Sequence, residues 1–232
     1  MRSYGQYCPV AKASELLGDR WTLLIVREMI YGPLGFAAIE RNLPGISRSV
    51  LATRLRRLQR DGIIHKQADG RYQFTQAGEA LRPVVQSLGN WVAEWVLADP
   101  APAELDPELL MLFVSRHVRR DALPPGKTVI QFEFAGTPTR YIWLTMERHD
   151  VSVCLQDPCL PIDLVVRGTV HDLFQVYIGR TTLGAAVRDE RVRLTGTRDN
   201  VRGFSNWMQW SNFAEASRAA RRRERTGTPH VG

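Results

Sequence analysis

Along the first hundred positions, apolar residues recur three and four apart, the spacing of one helix face, and Gly, Pro, Ser and Asp cut the pattern into segments. Cys8 and Pro9 open a helix through VAKASELLGD, with proline in a first helical position and Gly18 to end it. Asp19 is expected to cap RWTLLIVREMIY, whose Trp21, Leu24, Ile25 and Ile30 form a core stripe and whose end is marked by Gly32 and Pro33. A short helix, FAAIERNL, closes at Pro44 and Gly45, and Ser47 starts SRSVLATRLRRLQRDG. Two short helices joined by a glycine-containing turn form a helix-turn-helix. The pattern then changes to strands in IIHKQADGRYQFT, with the hairpin turn at Asp69-Gly70. Thr75 caps a long final helix, kinked at Pro83, in which Leu81, Val84, Leu88, Trp91 and Trp95 repeat as a seam.

Beyond a proline-rich stretch, ADPAPAELDP, the periodicity shortens. PELLMLFVSRHV reads as a helix. TVIQFEF, RYIWLTM, VSVCL, IDLVVRG and RVRLTG read as strands, the later ones separated by helical segments. The expected fold is two domains: a mainly α winged helix-turn-helix over residues 1–97, a linker over 98–107, and over 108–217 an α+β domain with an open, mostly antiparallel sheet and helices on one face. Residues 218–232, containing RAARRRER, form a basic tail expected to be disordered, with an additional DNA arm as the alternative.

A chain of 232 residues suits two cores. The net charge of +7 is unevenly placed: residues 1–98 hold thirteen basic against eight acidic side chains, 99–217 hold thirteen against fifteen, and 218–232 hold five against one. A polyanion therefore belongs at the N-terminal part, with the tail as a second option. No apolar run is long enough for a membrane helix and the start lacks a signal-peptide layout, so a cytoplasmic location without membrane contact is expected. Three scattered cysteines, Cys8, Cys154 and Cys159, suit a reducing compartment. His149, Cys154 and Cys159 match no common zinc spacing. The histidines at 65, 117, 149, 171 and 230 have no nucleophile motif beside them, and there is no phosphate loop. Neither a metal, a cofactor nor an enzyme is expected.

The chemistry concentrates in SRSVLATRLRRLQR. Leu51, Leu55 and Leu58 fall on one stripe, while Ser49, Thr53, Arg56 and Arg60 fall opposite, with Arg57 at their edge and Arg48 and Arg54 on the flanks. Arginine neutralises phosphate and pairs with guanine edges, and Ser or Thr donate to either. Solvated helix faces also carry arginine runs. What separates the two readings is the basic hairpin that follows, with Lys66 and Arg71 placed to lie along a phosphate strand. The final seam is either internal packing or a dimer contact, and paired half-site reading favours a dimer.

The strings YCPVAKASELLGDRWTLLIVREM, GPLGFAAIERNLPGISRSVLATRLRRLQRDGII and FTQAGEALRPV, in this order over residues 7 to about 97, closely resemble the HxlR family of bacterial winged-helix regulators. The resemblance implies a homodimer on a palindromic operator of double-stranded DNA, paired through its first and last helices and acting as repressor or activator. It places base and phosphate contacts on Ser47 to Arg57 and phosphate contacts on the wing. It also implies a thiol sensor at Cys8 in the CPV motif. A thiol at a helix start is biased toward thiolate, with Lys12 nearby as added support, but a free cysteine also packs simply as a small apolar group. From about 105 to 215 the order of elements resembles sterol-carrier-protein-like domains. That implies an apolar small-molecule effector, with Phe174, Trp207, Met208 and Trp210 as pocket residues or ordinary core. The function expected is a DNA-binding regulator; the alternative is a lipid carrier that uses its winged helix only to dimerise.

Overall fold

The computed structural model describes residues 3–225 and divides the chain into two compact units, 1–89 and 90–232. Among the described residues no helix is long and apolar enough to cross a membrane.

The first unit runs α1 (Pro9–Leu17), α2 (Thr22–Met29), α3 (Phe36–Asn42), α4 (Arg48–Arg60), β1 (Ile64–Lys66), β2 (Tyr72–Phe74), α5 (Gln76–Glu79) and the start of α6 (Arg82–Trp95). Its core joins Ile25, Val26 and Met29 of α2, Ile39 and Leu43 around α3, the Leu51, Leu55, Leu58 stripe of α4, and Ile64, Tyr72 and Phe74 of the hairpin. The two strands pair antiparallel with Lys66 opposite Tyr72, and Leu34 exchanges two backbone hydrogen bonds with Tyr72 at 3.1 and 2.8 Å. Gly78 presses α5 onto this hairpin, since a Cβ there would stand 2.2 Å from the Ile63 carbonyl oxygen.

Three local expectations change. Asp19 does not cap α2: the helix starts at Thr22 after Trp21, which takes a left-handed φ of 80°, and the Asp19 carboxylate is used elsewhere. Leu24, expected in the core stripe, is exposed. The long final helix is broken rather than kinked. Thr75 caps α5 by accepting from Gly78 N at 3.2 Å, and a new helix, α6, begins at Arg82, with Pro83 in its first turn, where a missing N–H is tolerated. Leu81 sits in the break and packs against the core.

In the second unit, α7 (Pro107–Ser115) precedes β3 (Thr128–Ala135), β4 (Tyr141–Met146), β5 (Val151–Cys154) and β6 (Leu164–Thr169). Helices α8 (Val170–Tyr177) and α9 (Leu183–Arg188), strand β7 (Val192–Gly196), and helices α10 (Arg198–Trp207) and α11 (Ala214–Arg225) follow. The sheet is mixed, in the order β5-β4-β3-β6-β7, with β3 and β6 parallel and the other pairs antiparallel. Alternation sorts its faces. Ile130, Phe132, Phe134, Ile142, Leu144, Leu164 and Val166 share one core with α7, α8 and α10. Along the same strands Gln131, Glu133 and Arg167 point the other way, with Trp143 Nε1 donating to Gln131 Oε1 at 3.1 Å and Arg167 paired to Glu133.

The proline-rich stretch holds a 3₁₀ turn at Pro102–Glu104, and Asp99 within it accepts from Gln175 Nε2 at 2.8 Å and from Arg180. The basic segment departs from the disorder expected of it as far as Arg225. Its alanines and arginines are good helix formers, and Arg223 pairs with Glu94 and lies over the Trp95 ring, 3.7 Å from its centroid. Residues 226–232, His230 among them, lie outside the described residues.

Candidate nucleic-acid interface

Helix α4 starts where Ser47 Oγ accepts from Val50 N at 3.3 Å, with Ser49 Oγ 3.2 Å from Ser47 Oγ. Burying the leucine stripe turns Ser47, Arg48, Ser49, Thr53, Arg56 and Arg60 outward, and all six are exposed. The Arg48 and Arg60 side chains are 76% and 75% accessible. Arg48 reaches Glu40 at 3.6 Å and lies over the Phe36 ring, while Arg56 Nη2 donates to Thr53 Oγ1 at 3.4 Å.

Arg54 and Arg57 behave differently. Their side chains are only 23% and 20% accessible. Arg57 Nη1 donates to Asp19 Oδ2 at 2.6 Å and its Nη2 donates to the Glu15 carbonyl oxygen, while Nε meets Asp61 at 3.4 Å. Arg54 Nη1 stands 3.0 Å from the same Asp19 oxygen, and its Nε donates to Arg20 O. One carboxylate thus ties α4 to the loop between α1 and α2. Arg57, expected at the DNA-facing edge, is instead half-buried with Asp19 as a partner that local periodicity does not indicate. The available signal was the position of Arg54 and Arg57 beside the leucine stripe, within reach of a neighbouring loop.

The hairpin presents Lys66, its Nζ 5.7 Å from the Tyr72 ring, and Arg71, whose Nε donates to Asp69 Oδ2 at 2.7 Å. The backbone and side-chain N–H groups of Arg71 hold the Asp69 carboxyl below its ordinary range. On α6 the seam residues Val84, Leu88, Trp91 and Trp95 are 50%, 46%, 55% and 38% exposed, and Arg223 covers part of Trp95.

Cys8 is exposed at the N-cap of α1. The backbone N–H groups of Ala11 and Val10 at the helix start push its thiol pKa down, although its side chain makes no capping hydrogen bond. Lys12 is engaged elsewhere, pairing with Glu15 at 3.0 Å.

The four expected pocket residues are not gathered round one cavity. Trp207 and Met208 are buried in the core. Phe174 borders a small apolar depression with Leu105 and Phe113, and Trp210 borders a separate cleft. Among the described residues no three His, Cys, Asp or Glu side chains are grouped to hold a metal ion.

A leucine-backed helix with an outward Arg, Ser and Thr face, preceded by a short helix and followed by a basic hairpin, defines the first unit as a winged helix-turn-helix, the DNA-binding module of transcriptional regulators. The family model of the HxlR-like helix-turn-helix matches residues 16–100. The HTH-type transcriptional regulator YvaP of Bacillus subtilis (strain 168) is 33% identical over 103 residues, which cover 41% of this chain and 94% of YvaP. YodB of the same organism is 34% identical over 95 residues, 38% of this chain and 85% of YodB. Rv3095 of Mycobacterium tuberculosis (strain H37Rv) is 37% identical over 99 residues, 40% of this chain and 62% of its own length. The chain belongs to the HxlR-like helix-turn-helix family of DNA-binding transcriptional regulators.

Proposed function

We propose that this chain is a sequence-specific regulator that binds a palindromic operator as a homodimer, each copy laying α4 in a major groove and its hairpin on the flanking phosphates. The observation that carries this reading is the division of α4 into a buried leucine stripe and an outward face of Ser47, Arg48, Ser49, Thr53, Arg56 and Arg60. Lys66 and Arg71 supply the hairpin charge. Arg57 is better assigned to holding α4 in place, because its guanidinium is already engaged by Asp19, Glu15 and Asp61. Val84, Leu88 and Trp91 form the dimer seam: an apolar stripe exposed on one helix is a surface that a second copy covers.

Cys8, with its thiol pKa lowered at a helix start, is the site at which oxidants or electrophiles alter DNA binding. The second unit is the effector-binding part, sterol-carrier-like in the order of its elements, and takes a ligand with an apolar portion.

The test is selection of bound sequences from a random duplex pool with the full chain at two salt concentrations. Recovery of an inverted repeat, with half-sites about one helical turn apart, is expected. Salt-dependent binding without sequence preference would leave the fold but remove the operator. On the recovered site, diamide should weaken binding of the parent protein and leave Cys8→Ser unaffected; an equal response would remove Cys8 as the sensor.

A further inference from the structure

A cleft of about 360 Å³ opens in the second unit between the turn after α8 and the segment leading into α11. Val176, Leu183 and Trp210 form its apolar side, and Asn212, Glu215 and Arg218 its polar side. Thr181, Thr182, Gln209 and Ser211 also line it, so the cleft offers polar groups and apolar surface side by side, as a site for an amphipathic small molecule does.

The walls are held by backbone features that are costly to maintain. Gly179, with φ +83°, lies where a Cβ would come within 2.5 Å of the Ala214 Cβ, so the two walls meet at a point where a larger residue does not fit. Trp210 adopts a left-handed φ of 57°, a conformation that side-chain-bearing residues rarely take. Its ring meets the buried Phe204 edge-on at 5.8 Å, which anchors this lining residue to the core.

The charged groups are the sharper observation. Glu215 and Arg218 stand one helical turn apart, the spacing at which Lys12 and Glu15, or Glu79 and Arg82, form ion pairs in this protein. Yet the side chains of Glu215 and Arg218 make no ion pair or hydrogen bond with each other or with any other described side chain. An open carboxylate and an open guanidinium on neighbouring turns, beside an apolar wall, complement a ligand whose ammonium and carboxylate are borne on one carbon beside an apolar group. We propose that this cleft binds an apolar α-amino acid, with Glu215 on the ammonium, Arg218 on the carboxylate, and Trp210, Leu183 and Val176 around the side chain. The proposal rests on the reading of the second unit as the effector-binding part and gives that effector a charged end.

The same elements carry the signal onward. Arg180, between the lining residues Gly179 and Thr181, donates to the Leu97 carbonyl oxygen and to Asp99. Arg221, one turn beyond Arg218, donates to the Arg180 carbonyl oxygen, and Arg223 pairs with Glu94 and covers Trp95. A ligand that draws the turn and α11 together therefore tightens residues 94–99, where α6 ends.

Isothermal titration of the full chain with L-leucine, L-phenylalanine and L-tryptophan tests this. Saturable binding of at least one is expected, with 3-phenylpropionate (no ammonium) and phenethylamine (no carboxylate) at least about tenfold weaker than L-phenylalanine. Glu215→Ala and Arg218→Ala should each weaken binding about tenfold without changing the melting temperature of the free protein. Bound amino acid should slow amide hydrogen exchange over 94–99, and Arg180→Ala should abolish that slowing while leaving binding intact. No saturable heat with any of the three amino acids overturns the proposal, as does binding of 3-phenylpropionate equal to that of L-phenylalanine. Persistence of the slowing in Arg180→Ala overturns the transmission route. Operator selection on the same preparation separates the two readings: an operator without amino-acid binding removes this proposal alone, and amino-acid binding without an operator removes the regulator reading alone.

Discussion

Helices α4 and α11 each carry five arginines, and the two helices place them differently. On α4 the buried leucines force a division: Arg48, Arg56 and Arg60 stand out from the surface, while Arg54 and Arg57, flanking the stripe, close onto Asp19. On α11 Arg221 and Arg223 turn back onto the protein, to a carbonyl, a carboxylate and an indole ring. Net basicity therefore says little about which helix meets a polyanion. A guanidinium held by several close partners and half-buried, as Arg57 is, must give them up before it can bind phosphate, whereas the exposed Arg48 and Arg60 each have one long contact, to Glu40 at 3.6 Å and Asp61 at 3.7 Å, that costs little to exchange.

The largest effect expected from this contrast is on operator affinity. Arg48→Ala combined with Arg56→Ala should lower it about a hundredfold, roughly tenfold per contact, with the melting temperature unchanged. Fluorescence anisotropy on the selected operator measures it, and retained affinity would make α4 an ordinary surface helix. Next comes stability. Asp19→Ala leaves two poorly accessible guanidinium groups without their shared carboxylate and should cost about 2 kcal/mol in urea unfolding of the first unit. If Asp19→Ala and Arg57→Ala prove additive, the clamp is not a coupled unit. The smallest effect belongs to α11. Arg223→Ala should cost at most about 1 kcal/mol, the range of an exposed cation–π contact and ion pair, and leave operator affinity unchanged. A salt-dependent loss of affinity in that variant would instead place α11 on DNA.

Much of this was readable in the sequence. The inward stripe Leu51, Leu55 and Leu58, the hairpin across Asp69-Gly70, the cap at Thr75 and the five strands of the second unit all follow from local periodicity and turn chemistry. The misreadings share a cause. Asp19 is a good cap by type, but two arginines of α4 compete for its carboxylate. Leu24 fits the helical period, yet falls just outside the arc that the core covers. Pro83 would kink an uninterrupted helix, but a break at Ala80-Leu81 puts it in the first turn of a new one. For Trp207 and Met208, which the resemblance left as pocket walls or ordinary core, the structure gives core, because segments 117–119 and 207–209 pair with each other, Arg119 N donating to Trp207 O at 2.7 Å and Gln209 N to His117 O at 2.8 Å.

By itself, then, the sequence determined most of the order and type of elements, the winged-helix module and the basic face of α4, because these depend on residues within a few positions of one another. The tertiary structure alone decided which arginines remain open and where the second unit has a cleft. Those outcomes depend on partners far apart in the chain, 38 residues for Arg57 and Asp19 and 81 for Arg180 and Asp99, and no local pattern encodes such a meeting.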